Sequence, residues 1–172
     1  MLSAADLEFI SKVPIFAALS PEAMQRIGGL ARRLDMDKAG PIFKEGEPAK
    51  EMVVVLAGEL EVRKRARSGA EAVIATLHAG DVAGEMSLID IQPRSAGVSS
   101  IGPAAMAVIS HSDLATFYRE DPGSYTILVL NIAREISRRL RRVDVLLADI
   151  LIDLNDVWLE ANRSLQPPPR KD

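Results

Sequence analysis

Hydrophobic and polar positions change period twice along the chain and so divide it into three parts. In residues 1–33, apolar side chains recur at helical spacing, and Ser3 and Ser20 stand where two helices would begin. In 34–109, short β-branched runs alternate with Gly and Pro. In 110–162, the helical period returns. The pattern predicts an α+β chain with N-terminal and C-terminal helices on either side of a sheet region.

The middle part consists of short predicted strands. Its β-branched runs are separated by Gly or Pro at intervals of about 8–12 residues, which is typical of an antiparallel sandwich or barrel. The clearest runs are 52–56, 60–62, 73–77 and 107–109. We expect 34–109 to form a small antiparallel β-roll, a double-stranded β-helix of jelly-roll type. Because the chain has only four Phe, two Tyr and one Trp, aliphatic side chains must fill most of the core.

The C-terminal part predicts one short helix and one long one. Ser110 and Asp113 have the spacing of a capping box, and Asp121-Pro122 marks a second helix start. Neither Gly nor Pro interrupts 124–162, whereas 163–172 is rich in Pro and predicts a disordered tail.

The long helix carries a heptad seam. Apolar residues alternate at spacings of four and three, at Ile136, Leu140, Val143, Leu147, Ile150, Leu154 and Val157. The helix would reach about 60 Å, longer than a compact domain of this size is wide. We therefore expect a parallel homodimer through 136–157. More apolar residues widen the stripe, so packing of 144–160 on its own subunit stays open: Val145, Leu146, Leu151, Ile152 and Trp158.

Charge narrows the possible partners. The formal net charge of −3 argues against wholesale nucleic-acid binding. Five arginines lie within 134–142 and five acids within 143–162. We interpret this division as a solvated helix face whose arginines pair with acids on the partner chain, so we expect no direct nucleic-acid contact.

Other compositional features exclude classes of site and location. The chain has no cysteine, which excludes disulfides, thiolate metal sites and a cysteine nucleophile. The N-terminus lacks the pattern of a secretory signal, and four aspartates interrupt the most apolar stretch, 143–159. We expect a cytoplasmic protein that does not associate with a membrane.

The segment 80–98 combines residues suited to a small anion. Gly84-Glu85 opens a short apolar turn, and Arg94 follows Glu85 by nine residues. A helical turn starting there would direct N–H groups and a positive dipole end at an anion. Arg94 is suited to a phosphate, and Glu85 to a hydroxyl donor. The segment predicts a site for a molecule with one phosphate and a nearby hydroxyl.

This segment resembles the phosphate-binding cassette of the cyclic nucleotide-binding domain family, which includes catabolite activators and protein kinase A regulatory subunits. Gly84-Glu85 and Arg94-Ser95 stand at one of the family's usual spacings. The turns at 43–47, 56–62 and 77–81 are also similar, and the resemblance covers about residues 13–142.

The resemblance implies a cyclic nucleotide ligand. Glu85 would accept from the ribose 2′-hydroxyl, and Arg94 would hold the cyclic phosphate. The implied ligand-binding residues are Gly84, Glu85, Met86, Ser87, Arg94, Ser95 and Ala96. The last helix would cover the base, and by position Leu140, Val143 or Asp144 would face it.

Three positions bear on how closely the family pattern is followed. In the family a Thr after the arginine tends to favour cyclic GMP, so Ser95 favours cyclic AMP. Ala83 stands where the family often has an aromatic residue, and Gly97 where it usually has a β-former. Neither departure removes a ligand contact.

No pattern in the sequence indicates catalysis. His78 and His111 lie far apart, and we expect them at the surface or at a cap rather than on a metal. Ser99 and Ser100 have no obvious His-Asp partners for a hydrolase triad. We therefore expect a protein that is not an enzyme and binds no metal.

Three functional hypotheses follow. The first is a non-catalytic cyclic-nucleotide sensor that transmits binding through its C-terminal helix to a further protein, whose identity stays open. The second is a ligand-free interaction module, in which Glu85 and Arg94 form a buried ion pair. The third is the regulatory fragment of a catabolite-activator-type transcription factor, since the ten residues after Asn162 leave no room for a DNA-binding domain.

Overall fold

Four α-helices and eight strands are present in residues 1–90 and 92–164, the part of the chain that the computed structural model describes. The helices are α1 Ala4–Ser11, α2 Pro21–Leu30, α3 His111–Glu120 and α4 Pro122–Ser164. The strands are β1 Arg32–Met36, β2 Gly40–Phe43, β3 Glu51–Ala57, β4 Leu60–Arg65, β5 Glu71–Leu77, β6 Val82–Ala83, β7 Gly97–Ser100 and β8 Ala104–Ser110. Two 3₁₀ turns are Pro14–Phe16 and Glu85–Leu88, and we call the second the cassette turn. The chain divides into two units, and the second begins at Ile136.

The predicted helix starts are confirmed. Ser3 and Ser110 each form a capping box with the acid three residues later, and the Ser20 hydroxyl accepts from the amide of Ala23. These bonds satisfy backbone donors that have no partner within the helix. The 3₁₀ turn Pro14–Phe16 was not predicted, because three residues are too few to display a hydrophobic period.

The predicted antiparallel β-roll is also confirmed. Two four-stranded sheets form, in the orders β1-β8-β3-β6 and β2-β7-β4-β5, and all their strand pairs are antiparallel. In the β3–β8 register, Glu51 faces Ser110, so the start of β3 lies beside the start of α3. The sequence did not reveal β1, β2, β6 and β7 individually, because they are only two to five residues long.

Aliphatic side chains fill the core of the roll, as expected. Its one aromatic residue is Phe43, on β2. The buried cluster consists of Phe43, Val53, Val55, Leu60, Leu77, Ala83, Val98, Ala104, Met106 and Val108. Full burial of one large apolar side chain contributes about 1.5–3 kcal/mol. This cluster therefore holds the two sheets together and fixes where the loops between them emerge.

The first turns of α4 are anchored on the N-terminal part of the chain. Leu128 and Ile132 are buried. Asn131 is also buried, and its side-chain amide donates to the carbonyls of Ile15 (3.2 Å) and Ala17 (2.7 Å). The start of α4 is thus buried at Leu128 and Ile132 and is held to Ile15 and Ala17 by two hydrogen bonds.

The second unit is the continuation of α4. Its seam side chains from Leu140 to Leu154 are between 45% and 60% exposed. Helix α4 ends at Ser164, two residues into the predicted tail, and 165–172 lie outside the described residues. Among the helices described, none combines the length and apolar character needed to cross a membrane.

Gly58 permits a tight turn between β3 and β4, and its replacement should destabilise the roll. Its φ is 82°, and an added Cβ would lie 2.5 Å from the Pro103 carbonyl oxygen and 2.8 Å from Ala104 Cα. We expect Gly58→Ala to lower the free energy of unfolding by about 2–5 kcal/mol, from left-handed strain plus collision with backbone. Urea unfolding measures this loss.

Gly69→Ala is the matched control. Gly69 has a similar φ of 89°, but a Cβ there meets no atom within 4 Å. It should lose only the left-handed strain, about 1–2 kcal/mol. Equal losses of unfolding free energy in the two variants would show that the collision with backbone at Gly58 does not contribute to the destabilisation.

Candidate functional site

The candidate site begins at Gly84, where β6 ends. Gly84 has a φ of 82° and caps the N-terminus of the cassette turn. A Cβ at this position would collide with Nη1 of Arg94 and lie 2.9 Å from the carbonyl oxygen of Glu51. Glycine is therefore required twice, for the left-handed backbone and for the close approach of Arg94.

The cassette turn directs alternate side chains inward and outward. Glu85 and Ser87 are buried, at 2% and 7% exposure, whereas Met86 is 51% exposed. The Ser87 hydroxyl donates to the Gly84 carbonyl at 2.6 Å and closes the turn. The single helical turn predicted after Gly84 is confirmed, and among the described residues no side chain caps its N-terminus.

Arg94 lies beneath this turn. Its Nη2 donates to the Glu51 carbonyl at 2.6 Å, and its guanidinium carbon lies 3.6 Å from the centroid of the Phe43 ring. Its backbone is held as well, because its amide donates to the Glu47 carbonyl and its carbonyl accepts from the Gly46 amide, both at 2.9 Å. The guanidinium is thus fixed by an aromatic face, a β3 carbonyl and the loop before β3.

Two nitrogens of this guanidinium make no hydrogen bond. Within the described residues, Nε and Nη1 of Arg94 are buried and lack a partner. Burial lowers the pKa of Arg94, while the negative charges of Glu47, Glu51 and Glu85 act to raise that pKa. An arginine stays protonated even so, and a buried unpaired donor is costly. An anionic oxygen would provide an acceptor for either donor, so the residues present fit a bound phosphate.

The far end of the cassette is held by β4. Ser95 is exposed and Ala96 half-buried. The Ser95 carbonyl accepts from the ammonium of Lys64, which is also paired with Glu45 at 2.6 Å. These contacts fix the chain directly after Arg94, where the family resemblance implies the ligand-binding residues Ser95 and Ala96.

The structure brings Glu85 close enough to Arg94 for their charges to interact. However, Nε and Nη1 of Arg94 form no hydrogen bond with any described residue, Glu85 included. A purely structural ion pair would use those donors. The arrangement is therefore that of a site with unused binding capacity.

Four residues at the site were not predicted. Phe43 and Glu51 contact the Arg94 guanidinium, Lys64 contacts Ser95, and His111 lies 3.1 Å from the Ser87 hydroxyl. His111 had been expected at the surface or at a cap; it is the first residue of α3, but half-buried and bonded to the cassette turn. Only strand register brings these residues together, and no local spacing signals it.

The predicted base-covering residues lie in the second unit. Leu140 and Val143 are 60% and 57% exposed, and Asp144 is exposed as well. Their part in covering a base stays a prediction.

Comparison with known proteins identifies the family. Residues 35–121 match the family model described as the cyclic nucleotide-binding domain, which is just over half of the chain. The match spans the roll, the cassette and α3.

Two of the similar proteins are regulators. The chain is 25% identical to a CRP-like cAMP-activated global transcriptional regulator of Mycobacterium tuberculosis over 84% of its own length and 62% of the regulator's. It is 30% identical to a cAMP-dependent protein kinase regulatory subunit of Mycosarcoma maydis, over 63% of its length and 21% of that protein's. The chain thus spans less than two thirds of the curated relatives it matches.

Solved structures agree in fold and in family. A cyclic nucleotide-binding domain from Methylobacillus flagellatus has a TM-score of 0.75 at 26% identity, covering 86% of this chain and 87% of that one. The Thermus thermophilus catabolite activator protein has a TM-score of 0.69 at 28% identity, covering 80% and 62%. With the cassette geometry and the family match, these likenesses show that the chain belongs to the cyclic nucleotide-binding domain family.

Proposed function

We propose that this protein is a non-catalytic sensor of cyclic AMP, which binds between the cassette turn and Arg94. The observation that carries the proposal is the buried guanidinium of Arg94, with Nε and Nη1 lacking partners beneath a helical turn that starts at Gly84. A cyclic phosphate would accept from one of these donors and from amides at the start of the turn. Binding would thereby relieve part of the cost of burying guanidinium donors that have no partner.

Glu85 supplies the second recognition element. Its side chain is almost fully buried beside the guanidinium, at 2% exposure. A carboxylate in such a place accepts hydrogen bonds and donates none, so it selects a ligand that carries a hydroxyl near its phosphate. The ribose 2′-hydroxyl of a cyclic nucleotide meets that requirement. Ser95, in place of Thr, is the reason for preferring cyclic AMP to cyclic GMP.

The output element is α4. Its first turns are anchored by Asn131 on the 3₁₀ turn Pro14–Phe16, and the same helix carries the exposed heptad seam. We assign the seam to a homodimer, since apolar side chains at alternating spacings of four and three pack against an identical helix. Ligand binding would then reach a further protein through this helix.

Removal of the Arg94 guanidinium should abolish most nucleotide binding. We expect Arg94→Gln to weaken cyclic AMP binding by about 30-fold to several thousand-fold, because the buried phosphate loses its charged partner. Calorimetric titration after unfolding and refolding, which removes co-purified ligand, measures the change. Cyclic GMP is titrated in parallel and should bind more weakly.

Arg67→Gln is the control for this substitution. Arg67 is exposed and lies in the turn between β4 and β5. Its variant should bind as wild type does. Unchanged affinity in Arg94→Gln, or no binding of either nucleotide by the folded wild-type chain, would reject the proposed function.

The role of Glu85 is testable with a matched pair of ligands. Glu85→Gln should weaken binding of cyclic AMP by about 10- to 150-fold, the value of a hydrogen bond to a charged group. It should change binding of 2′-deoxy cyclic AMP little, because that ligand lacks the hydroxyl. Equal losses for both ligands would assign Glu85 to the fold of the turn instead of to the ribose.

The seam predicts which residues of α4 hold the dimer. Leu147→Lys places a charge on the seam and should convert the protein to a monomer in sedimentation experiments. Val145→Lys, equally apolar and 63% exposed but off the seam, should leave the dimer intact. Dissociation by Val145→Lys alone would show that a different face of the helix associates.

A further inference from the structure

His111 joins the cassette turn to α3. It is the first residue of α3, and its backbone amide donates to the Lys50 carbonyl at 2.9 Å. Its ring Nε2 lies 3.1 Å from Oγ of Ser87, in the cassette turn. One residue therefore contacts the ligand-site turn through its ring and the start of β3 through its backbone.

The direction of the His111–Ser87 hydrogen bond follows from the number of protons available. A hydroxyl has one proton, and that of Ser87 is committed to the Gly84 carbonyl at 2.6 Å. The imidazole must therefore be the donor, with its proton on Nε2. Burial and the positive charge of Arg94 lower the pKa of His111, so the ring is neutral at pH 7. Two bonds then run in one direction, from Nε2–H of His111 to Ser87 and from Ser87 to the Gly84 carbonyl.

The same corner also holds Arg94. The Lys50 carbonyl accepts from the amide of His111, and the next carbonyl, that of Glu51, accepts from the Arg94 guanidinium. Movement of the guanidinium towards a phosphate would disturb the backbone at Lys50 and Glu51, to which the His111 amide bonds. Movement of the cassette turn would disturb Ser87, to which the His111 ring bonds. α3 begins at His111, so the disturbance would reach its first turn directly.

We infer that His111 is a positioning residue that transmits the state of the cassette turn to the first turn of α3 through Ser87. The structure shows the hydrogen-bond chain itself. Its use in signalling rests on the proposed function. Ser87 is the link, because it bonds to His111 on one side and to Gly84 on the other.

The tautomer of His111 tests the chain in the free protein. Nitrogen NMR of the full chain at pH 7.5 should find His111 neutral with the proton on Nε2. Ser87→Ala removes its acceptor and should abolish that fixed preference. A proton on Nδ1 in wild type, or a tautomer indifferent to Ser87→Ala, would overturn the inference, whether or not a nucleotide binds.

Amide hydrogen exchange of the first turn of α3, with and without saturating cyclic AMP, tests transmission. In the free protein Ser87→Ala should speed this exchange about fivefold, the loss of one hydrogen bond. Cyclic AMP should change the exchange in wild type but not in Ser87→Ala or His111→Phe. His111→Gln, whose amide can donate to Ser87, should restore the response, which a merely space-filling role would not predict.

His78→Ala is the matched control, since His78 is the other histidine and 61% exposed. Cyclic AMP should change amide exchange in the first turn of α3 of this variant as it does in wild type. A wild-type response in Ser87→Ala would overturn transmission through His111. If wild type fails to bind cyclic AMP in calorimetry, the proposed function fails, and the tautomer and free-protein exchange still decide whether His111 is connected to the cassette turn.

Discussion

The burial of one guanidinium, that of Arg94, is the constraint on which the site depends. A buried cation needs partners, and the fold provides the Phe43 ring and the Glu51 carbonyl. The same burial explains why Gly84 has no side chain, since a Cβ there would occupy the space of Nη1. Two guanidinium donors are left over in a place from which water is largely excluded. In such a place, each charge-assisted hydrogen bond to an anion contributes strongly to the free energy of binding.

The β-roll makes this burial possible. Apolar packing between the two sheets fixes β3, and β3 pairs with both β6 and β8. Gly84 directly follows β6, and His111 directly follows β8, so pairing with β3 positions both residues at the site. The ligand-site turn and the first C-terminal helix therefore follow strands that pair with opposite edges of β3. A change at the turn does not have to travel far to reach a helix.

Under the proposed function, regulation would depend on which partners a few polar groups bond to. Ser87 bonds to Gly84 and His111, and Asn131 bonds to the carbonyls of Ile15 and Ala17. The bond to Gly84 closes the cassette turn, and the others each tie a helix to a turn. Such bonds contribute about 1 kcal/mol each, small enough that ligand binding energy can redistribute them.

Local features were determined by the sequence alone. Helix starts at Ser3, Ser20 and Ser110 depend on residues within three positions, and the cassette turn depends on one glycine. The antiparallel roll followed from strand spacing, and the family from the residues around Gly84 and Arg94. The partners of the site residues were decided only by tertiary structure. Arg94 meets a carbonyl 43 residues away and Ser87 an imidazole 24 residues away. Strand register sets such pairs, and register is fixed by packing of the whole core, which no short stretch of sequence encodes.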